Sequence, residues 1–184
     1  PNATLAPWLA DAAFMRAYEK AKHNTLVDIY RMYELWTLVE ETAKIGGDIL
    51  EVGVWKGGSG CLMAHRAQML DAEAKVYLCD TFEGVVKAGE EDSNYRGGEH
   101  KDTSVDTLQA LQNDLNVSNT KILKGIFPDD TGDRLDADRI RLCHIDVDVY
   151  LSAKDTVEFI WDRMPIGAAI VFDDYGFVGC DGVT

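Results

Sequence analysis

Five short apolar runs set the frame of this chain: "DILEVGVW" (48–55), "KVYLCD" (75–80), "TKILKG" (120–125), "RIRLCHID" (139–146) and "AAIVFDD" (168–174). Each has the length and continuous hydrophobicity of a strand buried on both faces, and stretches at helical spacing lie between them. That alternation builds βαβ units and predicts an α/β fold: a doubly wound, mostly parallel sheet with helices on both faces. Ligands of such sheets bind outside the carboxyl ends of the strands. Gly53, Asp80, Gly125 and two pairs of carboxylates all fall at that edge.

Two helices are expected before the first strand, over 8–23 and 26–44. The second carries Val27, Tyr30, Leu35, Leu38 and Val39 near helical spacing, with "IGG" (45–47) as its stop. A later helix with Val105, Leu108, Leu111 and Leu115 takes Asp102 or Thr103 as its cap. From Thr81 to Asp102 the chain has no period and is rich in Gly and charge, which predicts a mobile lid. Residues 1–45 read as N-terminal helical elements and 46–184 as the ligand-binding unit, together one globular body of ordinary domain size.

A formal charge of −14 excludes a nucleic-acid partner, which would select for clustered Lys and Arg. No apolar run approaches the ~20 residues that span a bilayer, so no membrane partner is expected. The N-terminal stretch lacks the basic and apolar regions of a secretion signal. Cys61, Cys79, Cys143 and Cys180 show no zinc spacing and fit a reducing, cytoplasmic compartment. Residue patterns leave the oligomeric state open, a homo-oligomer included.

The turn "EVGVWKGGSG" (51–60) fails the dinucleotide fingerprint, because Trp55 stands where a second glycine must let the backbone approach a pyrophosphate. It also lacks the Gly-Lys-Ser/Thr of a phosphate loop. What remains is Glu51, a glycine turn, and Asp80 closing the next strand, placed to accept both hydroxyls of a ribose. A nucleoside cofactor without pyrophosphate fits this better than NAD. The plainer alternative is that the glycines turn the chain and Asp80 is a cap.

Two strands end in paired acids: Asp146 with Asp148, and Asp173 with Asp174. Like charges in a half-buried site repel, so they need protons, cationic partners or a metal. No run of Lys or Arg lies near either pair in the sequence. Ordinary helix and turn capping is the competing explanation.

The segments "GGDILEVGVWKGGS" (46–59), "LCDTFEGV" (78–85), "KGIFPDD" (124–130), "HIDVDVYLSAKD" (144–155) and "IVFDDYGFVGCDGV" (170–183) resemble the class I S-adenosylmethionine-dependent methyltransferases. More narrowly, they resemble the macrocin O-methyltransferase family, whose members methylate deoxysugar hydroxyls on macrolide and aminocoumarin natural products. The resemblance implies that Glu51, Gly53, Val54 and Ser59 lie along the methionine part of S-adenosylmethionine and Asp80 on its ribose. It places Thr81 and Phe82 beside the adenine. It implies Asp146, Asp173 and Asp174 as ligands of a divalent metal. Family members continue past the last segment with a helix and a β-hairpin, so up to Thr184 the expected sheet lacks that hairpin.

An all-oxygen ligand set without soft Cys or His donors suits a hard cation such as Mg²⁺, which acts as a Lewis acid on a hydroxyl. With Asp146 committed to metal, Asp148 is the first candidate for general base and Asp146 the second. His144 is a third candidate, although its place one pleat deeper favours a structural role. His100, in the long loop, is a candidate for substrate contact. The expected activity is therefore metal-dependent O-methylation of a hydroxyl on a natural-product or nucleotide-linked sugar. A catechol-type phenol acceptor and a non-catalytic nucleoside-binding module are the alternatives.

Overall fold

The computed structural model describes residues 5–70 and 73–184. Five strands, β1 (Asp48–Val52), β2 (Val76–Asp80), β3 (Thr120–Lys124), β4 (Ile140–Ile145) and β5 (Ala169–Phe172), form one sheet in the order β3-β2-β1-β4-β5. Every pairing is parallel, so the sheet is more uniform than the mostly parallel one expected. No hairpin strand is present among the described residues. The chain winds outward from β1 to β3, then crosses to β4 and β5 on the other side. The order therefore reverses between β1 and β4, and a crevice opens at their carboxyl ends.

Burial explains why these runs are strands. All six residues of β4 are buried, as are four of the five in β1 and in β2. Successive side chains alternate between two cores, as strand geometry requires. Ile49, Leu78 and Leu142 face the helices α1 (Ala12–Ala21), α2 (Ile29–Ala43), α3 (Gly58–Leu70) and α4 (Val105–Leu115). Leu50, Tyr77, Cys143 and Ile145 face the other core, which is covered by α5 (Tyr150–Ile160) and the segment carrying Phe127 and Leu135. No helix among the described residues is long and apolar enough to cross a membrane.

Helix boundaries depart from the sequence pattern where a side chain is recruited elsewhere. The expected 8–23 helix is broken at Asp11, whose carboxylate accepts from the Ala13 and Phe14 amides and from Trp36 Nε1. Asp28 likewise starts α2 by accepting from the Tyr30 and Arg31 amides, so Val27 lies outside the helix and Tyr30 is 61% exposed. Ser104, not Asp102 or Thr103, caps α4. Those two hold the glycine turn instead: Asp102 takes Trp55 Nε1 at 3.0 Å and Lys56 Nζ at 2.7 Å, while the Thr103 hydroxyl donates to the Trp55 carbonyl.

The long loop after β2 has no helix or strand, as expected, but it is not loose. Lys87 bridges Asp155 at 2.6 Å and Asp129 at 2.9 Å, and Val85 and Glu99 pair through their backbones. Asp92, 3% exposed, accepts from the Tyr150 amide at 2.9 Å. It supplies the side-chain cap that α5 lacks at its own N-cap, Val149. Neither Asp148 nor Asp155 caps that helix, so the capping explanation of the first acidic pair fails at this position.

Gly53 shows how tightly the crevice is closed at its base. Its φ is +86°, and a Cβ there would lie 1.7 Å from the Asp146 carbonyl oxygen. Gly53→Ala must push β1 and β4 apart, at an expected cost of more than about 4 kcal/mol, the range of severe core damage. Thermal unfolding of that variant checks this; a midpoint within a few degrees of the parent would mean the crevice yields.

Candidate functional site

The strand ladder runs one residue past β1, β3, β4 and β5 and fixes the rim. Gly53 N donates to Cys79 O, Gly125 N to Asp80 O, Asp146 N to Val52 O and Asp173 N to Ile145 O, all at 2.9–3.0 Å. Above this rim lies a cavity of about 250 Å³. One end is walled by Gly53, Val54, Ser59, Asp80, Thr81 and Ile126, and the other by Asp146, Asp148, Asp173, Asp174, Tyr95 and His100.

Two expected cofactor residues do not reach this wall. Glu51 shares a strand face with Ile49 and points beneath the floor, fully buried, where its Oε1 meets His144 Nδ1 at 2.9 Å. Gly60 makes room for it, since a Cβ there would sit 2.2 Å from Glu51 Oε2. Phe82 packs into the core under α3 and α4. Its contribution at the rim is an amide that donates to Asp80 Oδ1 at 2.6 Å.

Asp80 does two jobs at once. Oδ2 accepts from the Val54 and Trp55 amides at 2.7 and 2.8 Å, so the carboxylate clamps the glycine turn to the end of β2. With the Phe82 amide included, three of its roughly four acceptor positions are filled by backbone. One acceptor position remains, enough for one ribose hydroxyl and not for the two expected. The capping alternative and the ribose expectation are thus not exclusive.

At the far end the four carboxylates divide into two groups. Ligand atoms of His144, Asp146 and Asp173 lie within 4.8 Å of one another, and so do those of Asp148, Asp174 and Cys180. Asp174 therefore faces the second group: its Oδ2 accepts from the Asp148 amide at 2.8 Å and its Oδ1 is 3.6 Å from Cys180 Sγ. Asp148 stands in the left-handed region, φ +66°. Its carboxylate is hydrogen-bonded by Tyr95 and lies 4.0 Å from His100 Nε2.

The cost of this crowding shows in the protonation equilibria. Burial, then the neighbouring Asp173, pushes the Asp146 carboxyl well above its usual range. Burial and Asp148 push Asp174 up to about 6. Asp148 is also raised by burial, against the opposing pull of Tyr95 and His100. Burial opposes charge on His144, but Asp173 and Glu51 outweigh it and hold the imidazole up at about 10. These neighbours favour the charged imidazole, and with Nδ1 tied to Glu51 beneath the floor His144 keeps the structural place expected of it.

A second cation comes from a residue the sequence reading did not find. Arg31 Nη1 contacts the Asp173 carboxylate, and Arg31 Nε pairs with Asp28 at 2.9 Å. The two partners are 142 positions apart, so no local pattern could join them.

The residues fit a hard divalent cation. Asp146 and Asp173 bring carboxylate oxygens to one spot with no thiolate in their group. His144 Nε2 lies beside them, 3.5 Å from Asp173 Oδ1, and could join as a nitrogen ligand only in its neutral form. Asp174 joins such a site only if its carboxylate turns from Asp148 and Cys180.

Comparison with known proteins gives the family and the fold. The sequence model of the macrocin O-methyltransferase (TylF) family matches residues 19–183. The tetracenomycin-C rhamnosyl 4'-O-methyltransferase of Streptomyces olivaceus is 29% identical over 173 residues, covering 85% of this chain and 64% of that protein. The demethyldecarbamoylnovobiocin O-methyltransferase of Streptomyces niveus is 28% identical over 169 residues, covering 84% of this chain and 63% of that protein. This chain thus spans just under two thirds of the length of these two curated relatives. Among solved structures, the O-methyltransferase NovP superposes with a TM-score of 0.73 at 25% identity, over 87% of this chain and 71% of that one.

Proposed function

The chain belongs to the macrocin O-methyltransferase family, and from that membership we propose that it moves a methyl group from S-adenosylmethionine to a sugar hydroxyl. The sugar is one carried by a natural product or linked to a nucleotide. One observation carries the reading: a single cavity is lined both by Asp80 and the glycine turn and by Asp146, Asp148 and Asp173.

S-adenosylmethionine supplies a methyl group on a sulfonium, so much of the remaining task is alignment of an acceptor with it. The glycine turn that Asp80 clamps, with Gly53, Val54, Ser59 and Thr81 along it and beside it, binds and orients the cofactor in this account. Glu51 acts at one remove, by fixing His144, and Phe82 by holding Asp80 through its amide. Asp146 and Asp173 would hold a divalent cation such as Mg²⁺, with Asp174 as a further ligand if its carboxylate turned from Asp148, and the ion would supply Lewis acidity at the acceptor hydroxyl.

Asp148 takes the acceptor's proton on its carboxylate. Its carboxylate lines the cavity, and the Tyr95 hydroxyl orients the receiving group. Tyr95 and His100 belong to the loop that closes this end, so the loop excludes water as well as completing the base. Four buried free cysteines accord with a reducing cytoplasm, where we place the protein.

The test is a screen of natural-product glycosides and nucleotide-linked sugars, read as S-adenosylhomocysteine formed. Turnover on a sugar hydroxyl is expected; turnover only on catechols, or none across the panel despite cofactor binding, would sink the reading.

Cofactor binding has its own check. Excess S-adenosylhomocysteine is expected to raise the thermal midpoint by roughly 5–10 °C through mass action. Because Asp80 also clamps the turn, Asp80→Ala is expected to lower the free midpoint as well as abolish that rise. A midpoint that ignores S-adenosylhomocysteine but responds to NAD would contradict the cofactor assignment.

A further inference from the structure

Arg31 is tied at both ends. Its Nε pairs with Asp28 Oδ2 at 2.9 Å, while Asp28 Oδ1 accepts the Tyr30 and Arg31 amides that open α2. Its Nη1 contacts the Asp173 carboxylate and lies 3.4 Å from the Asp173 carbonyl. The first turn of α2 is therefore latched to the residue that follows β5. Asp173 itself is sandwiched: its side chain is 7% exposed, with Arg31 on one oxygen and His144 Nε2 3.5 Å from the other.

The same oxygens form half of the candidate cation site. A divalent ion between Asp146 and Asp173 meets the full charge of Arg31 at contact range, and like charges so close repel strongly in a partly buried site. His144 cannot move aside, because it is enclosed and bonded to Glu51. Arg31 can, since it enters from the cavity side and its side chain is 36% exposed.

We propose that Arg31 is the resident counter-ion of the acidic cluster, and that a divalent cation loads by displacing its guanidinium from Asp173. This rests on the cation site of the proposed function. Loading then exchanges one neutralising charge for another and frees the first turn of α2 from the end of β5. Leu26, beside that turn, and Arg31 both line the cavity, so the exchange also reshapes its mouth. Arg31 is here a positioning residue: it acts through Asp173 and not on the acceptor.

The test is calorimetric titration of Mg²⁺ into the parent, Arg31→Met and Arg31→Lys at pH 8, where competition from protons is small. Arg31→Met keeps the aliphatic stem and removes the charge, and is expected to bind Mg²⁺ about tenfold or more tightly than the parent. Arg31→Lys restores the charge without the fork and is expected to return toward parental affinity, a rescue that a packing role would not give. In the parent, which needs no variant to fold, amide exchange at Tyr30 to Met32 is expected to quicken when Mg²⁺ is added. Equal Mg²⁺ affinity in all three proteins, with unchanged exchange, overturns the latch and leaves the cation site standing. No Mg²⁺ binding in any of them overturns both.

Discussion

Asp146→Asn is expected to lose Mg²⁺ binding and to cut turnover by about 10³-fold or more, the equivalent of several kcal/mol of lost charge stabilisation in the transition state. The same substitution should leave the metal-free fold no less stable. Burial and Asp173 raise the Asp146 carboxyl, so the folded protein favours its neutral form. A group raised in this way contributes stability at low pH that is lost as pH rises through its folded value. The neutral Asn avoids that loss, so its thermal midpoint should match the parent in acid and equal or exceed it at pH 8. Asp173→Asn should lose turnover equally but behave differently as a fold. It strands two cations, Arg31 and His144, that Asp173 now partners, so its midpoint should fall at neutral pH. Melting curves of the two variants at pH 5 and pH 8 check the contrast; parallel behaviour would mean the two acids share one environment.

Asp148→Asn is expected to keep Mg²⁺ and S-adenosylhomocysteine binding and still lose about 10²-fold or more in rate, the loss expected for a general base. The substitution is a clean one. Asn tolerates the left-handed φ of +66° that Asp148 adopts, so the backbone has no reason to move. The Tyr95 hydroxyl can still donate to the amide oxygen, and the backbone bond to Asp174 does not involve the side chain. What disappears is the capacity to receive a proton. Initial rates beside binding isotherms separate these effects, and a parental rate would transfer the role of base elsewhere.

The sheet was legible because its strands are buried on both faces and read as continuous apolar runs. The rim followed from topology, since parallel strands place every carboxyl end on one edge. Helix starts were misjudged where a polar side chain answers to a distant partner. Asp102 and Thr103 read as caps for α4, yet the glycine turn claims both and leaves Ser104 to cap. Lys87 and Asp92 carried no local sign of pinning the long loop, because their partners Asp129, Asp155 and Tyr150 come later in the chain.

The candidate site divides in the same way. Gly53, Asp80, Asp146 and Asp173 stood out because each ends or follows a strand. Glu51 lies one residue before the end of β1, and strand alternation sends it to the buried face, a consequence available from its spacing to Ile49. Arg31 could not be found from sequence, since its role arises only when α2 is folded across the end of β5. That arginine and His144 bring positive charge to Asp173, one of the ways in which such acids can lie together.

The most direct measurement is Mg²⁺ titration beside initial rates of S-adenosylhomocysteine formation for the parent, Asp146→Asn and Asp148→Asn. The parent is expected to gain activity with Mg²⁺ and lose it to a chelator. Asp146→Asn should neither bind the ion nor turn over, and Asp148→Asn should bind it yet remain slow. Parental activity in Asp146→Asn, with the same response to Mg²⁺, would show that these carboxylates serve the fold alone and would contradict the account.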